Sequence, residues 1–166
     1  MPLHQFSRIY EAYYSTIYRY LFYLLRHETT AEDLTQETFV RFINAALDFK
    51  DDAHRVAWLR KTARHLAYDY LRRQKIIKWL PLLTQDEPMT TCSLTYLEKQ
   101  QDAYHLYEAL NKLKTSEREV IILRKIEELS IKESAQLLGW SESKVKNTQA
   151  RAFATLRKIL GGEAFE

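Results

Sequence analysis

A single cysteine, Cys92, among 166 residues leaves no internal disulfide to form, so burial alone must hold the fold, and a reducing, cytoplasmic setting is expected. Glycine and proline are scarce, three of each, which removes the usual punctuation of strands and hairpins. No apolar run is long enough to span a bilayer: Ile17 to Leu25 is short and interrupted by Arg19, and the N-terminus has no cleavable signal pattern. There is no Walker-type glycine loop, no Ser/His/Asp arrangement and no pair of carboxylates at catalytic spacing. No second His, Cys or carboxylate stands at zinc spacing from His65. Catalytic residues, a metal, a cofactor and a small-molecule substrate are therefore all expected to be absent. What remains is 46% hydrophobic content with long helical periods, which predicts an all-α protein.

Net charge is small, 25 − 22 = +3, but its distribution is not even. Glu28 to Asp52 carries seven acidic and two basic residues, whereas His54 to Leu80 carries eight basic and one acidic. Different faces are built for different partners. Lys144 to Leu160 adds five basic residues and no acidic one. That last stretch follows Gly139, the only glycine before Gly161 and Gly162, placed where a helix must end in a positive-φ residue before a tight turn. With Ala135 small at the helix crossing and Val145 pinning the second helix, the spacing is that of a helix-turn-helix.

From an N-cap at Ser141, about 100° per residue gathers Val145, Ala152, Leu156, Ile159 and Leu160 on the packed side, with Phe153 read as core. Ser143, Asn147, Ala150 and Ala154 fall opposite, between Lys144, Arg151 and Lys158 on one edge and Lys146 and Arg157 on the other. Small and amide side chains between two basic rows suit a groove floor between phosphate backbones; the alternative is a solvated basic face. Gln149 stays unassigned.

Upstream, Ser116 with Glu119 and Ser130 with Glu133 match the capping box, and Thr29 with Glu32 gives another that places a helix from about Ala31 to Phe49. Asp33, Glu37, Arg41, Asn44 and Asp48 form a polar stripe on it, with Phe39, Val40, Phe42, Ile43, Ala46 and Leu47 as its core side. The stripe reads as a solvated face or a docking face, and Gln36, on the apolar side, as a buried hydrogen-bonding group or a partner contact. The next helix, about Arg55 to Lys78, is expected to bury Val56, Leu59, Ala63, Leu66, Ala67 and Tyr70, with His54 in the preceding loop. Opposite lie Trp58, Lys61, Arg64, His65, Tyr68 and Arg72, cations alternating with aromatics as single-stranded DNA requires; the alternative packs Trp58 and Tyr68 under a linker. Between the helical blocks, Pro81 to Ser93 mixes breakers and polar residues and sustains no period.

AEDLTQETFVRF (Ala31 to Phe42), AWLRKTARHLAYDYLRRQK (Ala57 to Lys75) and the C-terminal helix-turn-helix, in this order, resemble the extracytoplasmic-function sigma factors of bacteria. SESKVKNTQAR (Ser141 to Arg151) and ARH (Ala63 to His65) are most similar to the sigma X type of Gram-positive spore formers. The resemblance implies a sigma-2 helical bundle over residues 1–78, a flexible linker over 79–102 and a sigma-4 helix-turn-helix domain over 103–166. It implies no domain ahead of sigma-2 and no long extension after sigma-4. As partners it implies core RNA polymerase, double-stranded promoter DNA, the melted non-template strand and an anti-sigma factor, often membrane-anchored.

Residue by residue, the resemblance implies polymerase binding by Asp33, Gln36, Glu37, Arg41 and Asn44. It implies minus-10 contacts by Lys50, Asp51, Asp52 and His54 around the base-capturing loop, and by Trp58, Lys61, Arg64, His65, Tyr68, Asp69, Arg72 and Arg73 along the melting helix. For the minus-35 element the resemblance implies contacts by Lys146, Asn147 and Arg151, and the helical period adds Ser143, Lys144, Ala150, Arg157 and Lys158 on the same face. His65 stands where asparagine is common, a departure that bears on its base contact. Thr148 and Phe153 stand where arginine is often found, so fewer phosphate contacts are expected. A dimeric helix-turn-helix regulator would leave the acidic and aromatic-basic helices unexplained. A helical scaffold would make the basic recognition face accidental.

Overall fold

The computed structural model describes residues 1–79 and 101–161, which are helical with no strand among them. Two compact units are formed, one holding the first three helices and the other the rest. Pro81 to Ser93, Cys92 and Gly162 lie outside the described residues.

In the first unit α1 (Leu3–Leu25) and α2 (Glu28–Ala45) pack on each other and on α3 (Asp52–Trp79). Their shared core is Ile17, Tyr20, Leu21, Leu24, Phe39, Phe42, Leu59, Ala63 and Ala67. One apolar face per helix meets here, as the 3.6-residue period requires. Val56 and Tyr70 are only half-buried. α1 ends at Arg26, left-handed at φ 59°, whose N–H donates to the Phe22 carbonyl. His27 then caps α2, its Nδ1 accepting the Thr30 N–H at 3.1 Å. The Thr29–Glu32 box is thus pre-empted, and the helix begins at Glu28 rather than Ala31.

The far end of α2 departs further from the sequence reading. Ala46 is left-handed at φ 47°, so the helix stops short of Phe49. Leaving the helix lets Phe49 turn back and stack on Phe42 at 5.4 Å between centroids, with Trp58 edge-on to both rings. The core arc of α2 is also rotated from the one expected. Thr35 and Thr38 are fully buried beside Ala31, Phe39 and Phe42, whereas Val40, Ile43 and Leu47 are 49%, 44% and 52% exposed and Ala46 is exposed. The hydroxyls accept this burial because each donates back along its own helix, Thr35 to the Ala31 carbonyl at 2.6 Å and Thr38 to Leu34 at 2.7 Å.

In the second unit α4 (Gln101–Asn111) is followed by α5 (Thr115–Ile121), which runs into a π-helical turn at Ile122–Ile126. α6 (Ile131–Leu138) and α7 (Glu142–Leu160) complete it, and α4, α5 and α6 all pack on α7. Lys114, not Ser116, is the N-cap of α5, and Glu119 is fully buried, so no capping box forms there. Arg118 explains the tight turn before it. Its guanidinium, 3% exposed, donates to the carbonyls of Leu110 and Leu113 at 3.0 Å each, the first of which also accepts the Leu113 N–H, and so joins the end of α4 to the turn.

The Ser130–Glu133 box does form: Ser130 Oγ accepts the Glu133 N–H at 3.1 Å, and Glu133 Oε2 accepts the Ser130 N–H at 2.7 Å. Gly139 ends α6 at φ 68°, and Ser141 Oγ caps α7 by accepting the Lys144 N–H at 3.1 Å. A Cβ at Gly139 would meet nothing within 4 Å, so Gly139→Ala carries only the backbone cost of a left-handed residue. Chemical denaturation is expected to show a loss of about 1–2 kcal/mol with no change in helix content. A larger loss would point to a steric clash that the open space does not provide.

Candidate nucleic-acid interface and docking face

α7 is anchored by Val145, Thr148, Ala152 and Leu156, all buried; Ile159, Leu160 and Phe153 are half-buried. Phe153 is therefore not core, and Lys125 Nζ sits 5.5 Å from its ring centre. With that face fixed, Ser143, Lys144, Lys146, Asn147, Ala150, Arg151, Ala154, Arg157 and Lys158 are all exposed. Ser141, Ser143, Lys144, Asn147, Ala150 and Arg151 line a shallow concavity on this face. Lys144 Nζ lies 4.2 Å from the ring centre of Trp140, in the turn, and Arg151 donates to Thr148 Oγ1 at 3.2 Å. Gln149 packs: its Oε1 accepts from Arg124 Nε at 2.9 Å. Sequence reasoning had no signal for that contact, because its partner lies outside the helix-turn-helix spacing.

Along α3, Lys61, His65, Arg72 and Arg73 are exposed, while Trp58, Arg64, Tyr68 and Asp69 are half-buried. Trp58 does not stand opposite the core; its ring packs against Phe42 and Phe49. Tyr68 carries the Arg64 guanidinium over its face, 4.4 Å from the ring centre, and Arg72 pairs with Asp69. Lys50, Asp51, Asp52 and His54 are exposed, and Asp52 pairs with Arg55. The helix starts at Asp52, so His54 belongs to its first turn and not to the loop.

Asp51 makes that early start possible. Its Oδ1 accepts both the His54 N–H and His54 Nδ1 at 2.8 Å, and the backbone hydrogen bond, then the ring contact, holds its carboxyl below the usual carboxylate range. Because the folded-state pKa is lowered, the cap is intact above the ordinary carboxylate range and fails only as pH falls through the lowered value.

On α2, Asp33, Gln36, Arg41 and Asn44 are exposed and Glu37 is half-buried. Arg41 Nε donates to Glu37 Oε1 at 2.8 Å. Asp48, beyond the helix end, leaves this stripe. Gln36, Val40 and Ile43 form a second exposed row next to the first, part amide and part apolar, while Leu47, exposed too, lies beyond the helix end. Val40 and Ile43 lie outside the core because buried Thr35 and Thr38 help set the phase of α2, which its apolar side chains alone do not reveal.

The fold and these faces define a two-unit helical protein with a helix-turn-helix, a class with known counterparts. Residues 9–76 match Sigma-70 region 2 and residues 105–156 match Sigma-70, region 4. The chain is 34% identical to ECF RNA polymerase sigma factor SigX of Bacillus subtilis over 161 residues, covering 92% of this chain and 82% of the relative. It is 35% identical to RNA polymerase sigma factor YlaC of the same organism over 154 residues, 90% of this chain and 88% of the relative. The fold matches CnrH, solved with the cytosolic domain of CnrY, at TM-score 0.71 and 24% identity over 98% of this chain and 92% of that one. It matches RpoE of Bartonella quintana, solved with the anti-sigma factor NepR, at TM-score 0.75 and 21% identity over 98% of this chain and all of the other. The chain belongs to the extracytoplasmic-function RNA polymerase sigma factors. It is a transcription initiation factor that directs RNA polymerase to promoters, not an enzyme. None of the helices among the described residues is long and apolar enough to cross a membrane.

Proposed function

We propose that residues 1–78 act as the sigma-2 domain and 103–166 as the sigma-4 domain, tethered by 79–102. α2 docks on core polymerase through Asp33, Gln36, Glu37, Arg41 and Asn44, with Val40 and Ile43 supplying the apolar centre of that contact. α3 and the turn before it engage the minus-10 element through Lys50, Asp51, Asp52, His54, Trp58, Lys61, Arg64, His65, Tyr68, Asp69, Arg72 and Arg73. α7 reads the minus-35 element through Ser143, Lys144, Lys146, Asn147, Ala150, Arg151, Arg157 and Lys158. The observation that carries this reading is the face of α7, where all eight side chains are exposed and Ser143, Asn147 and Ala150 lie between two basic rows, Lys144, Arg151 and Lys158 on one edge and Lys146 and Arg157 on the other.

Each DNA contact alone is weak. Polymerase holds both domains on one duplex, and the tether converts two weak contacts into one strong one through effective concentration. Unstacking minus-10 bases costs a few kcal/mol each, which ring stacking and phosphate contacts along α3 offset without nucleotide hydrolysis. CnrH and RpoE are seen bound to CnrY and NepR, which supports an anti-sigma partner for this chain too, one that would restrain it in the cytoplasm or at the inner face of the membrane.

The test separates melting from binding. Tyr68→Ala is expected to reduce open-complex formation on duplex promoter about fivefold or more, and much less on a template already mismatched across minus-10, because stacking on one base is worth about 1–3 kcal/mol. Permanganate footprinting reads both. Trp58→Ala is a poorer probe, since loss of its contacts with Phe42 and Phe49 also loosens the fold. Equal losses on both templates from Tyr68→Ala would make its ring a support for Arg64 and nothing more.

A further inference from the structure

The geometry points to Arg124 and Gln149 as positioning residues that fix the rotation of the promoter-reading helix about its own axis. This rests on the assignment of α7 to the minus-35 groove. Arg124 leaves the π-helical turn Ile122–Ile126, and its guanidinium spans three pieces of the unit. Nε donates to Gln149 Oε1 on α7 at 2.9 Å, and Nη1 donates to the carbonyl of Leu129, one residue before the N-cap of α6. Leu129 is itself held, buried, with its N–H on the Leu123 carbonyl at 2.9 Å. One planar fork thus ties the recognition helix to the start of the helix that supports it.

The tie adds a directional element to the rest of the seam. Val145, Thr148, Ala152 and Leu156 hold α7 against its neighbours by close packing, which places the helix and limits its rotation. A hydrogen bond is directional and fails within a few tens of degrees. On a helix of about 5–6 Å radius with side chains, a rotation of about 10° moves the groove-facing tips by about 1 Å. That is enough to take an amide out of bidentate register with a base edge. Gln149 lies two residues after Asn147 and one before Ala150, so the tie acts where base reading is expected. Unwinding at the π-helical turn sets the direction in which Arg124 leaves the backbone.

The experiment uses the full chain with core polymerase, in run-off transcription on a reference promoter and its single-base minus-35 variants, beside Asn147→Ala. Gln149→Leu keeps the volume and removes the acceptor; it is expected to narrow the spread between the best and worst minus-35 variant about tenfold. Arg124→Lys, whose ammonium cannot span Gln149 and Leu129 as a planar fork does, is expected to narrow it as well. Gln149→Glu restores an acceptor for the guanidinium and should keep the wild-type spread, even if its charge weakens all promoters alike. Should Gln149→Leu not fold, Arg124→Lys against Gln149→Glu decides the matter by the same criterion. A wild-type spread in Gln149→Leu and Arg124→Lys, while Asn147→Ala narrows it, overturns the positioning role and leaves the groove assignment standing. If the wild-type chain itself shows no dependence on minus-35 bases, the groove assignment fails and takes this inference with it.

Discussion

Replacing Val40 and Ile43 by aspartate is expected to lower the affinity of the chain for core RNA polymerase by a hundredfold or more, with little change in thermal stability. Both side chains are close to half exposed and take no part in the core of the first unit, so their loss removes no native packing of consequence. At the centre of an interface, however, a desolvated apolar anchor is worth about 2 kcal/mol or more, and an aspartate there also buries an unpaired charge. The neighbouring polar row gives a second arm. The Glu37–Arg41 pair is exposed, worth about 0–1 kcal/mol to the fold, so exchanging the two residues keeps an i, i+4 pair while inverting its polarity toward a partner. The exchange should impair polymerase binding and leave the melting curve within about 0.5 kcal/mol of wild type. Co-purification with core polymerase at wild-type yield in all these variants would return the whole outer face of α2 to solvent.

Asn147→Ala is expected to relax base preference at one minus-35 position by about 1–3 kcal/mol, roughly fivefold or more, since an amide pairs bidentately with adenine. Lys158→Ala is expected to act differently: all promoters weaken alike, and the slope of log affinity against log salt falls by about one. Both side chains are exposed on α7, eleven residues and about three turns apart, and the first lines the shallow concavity while the second lies in the last helical turn. Filter binding or transcription across single-base minus-35 variants at several salt concentrations reads both. A uniform loss from Asn147→Ala with a base-selective loss from Lys158→Ala would mean that the helix presents another edge to DNA.

The second unit was the more legible in sequence, and the reason is local chemistry. Ser130, Glu133, Gly139 and Ser141 act through backbone groups at most five residues away, and each does what its type and spacing demand. Ser116 and Glu119 had the same spacing but not the same outcome, because Arg118 and the burial of Glu119 set the start of α5 from a distance. In the first unit the core of α3 was legible at Leu59, Ala63, Leu66 and Ala67, where apolar period and burial coincide. α2 misled because two of its buried positions are threonines that satisfy their hydroxyls on their own helix, which no hydropathy pattern reveals. Its true end is set by the ring contacts of Phe49 with Phe42 and Trp58, tertiary events that a local reading of residues 31–49 does not contain. The Arg124–Gln149 contact is of the same kind, a pairing across twenty-five positions that only the packed helices bring together.

Site-specific photo-crosslinking in the promoter open complex tests the central assignment most directly. With a crosslinker at position 147 and another at position 61, the first is expected to label bases of the minus-35 element in the major groove, and the second the non-template strand at minus-10. Labels exchanged between the two elements, or labels confined to polymerase with no DNA adduct from either position, would contradict the assignment of α7 and α3 to promoter reading and melting.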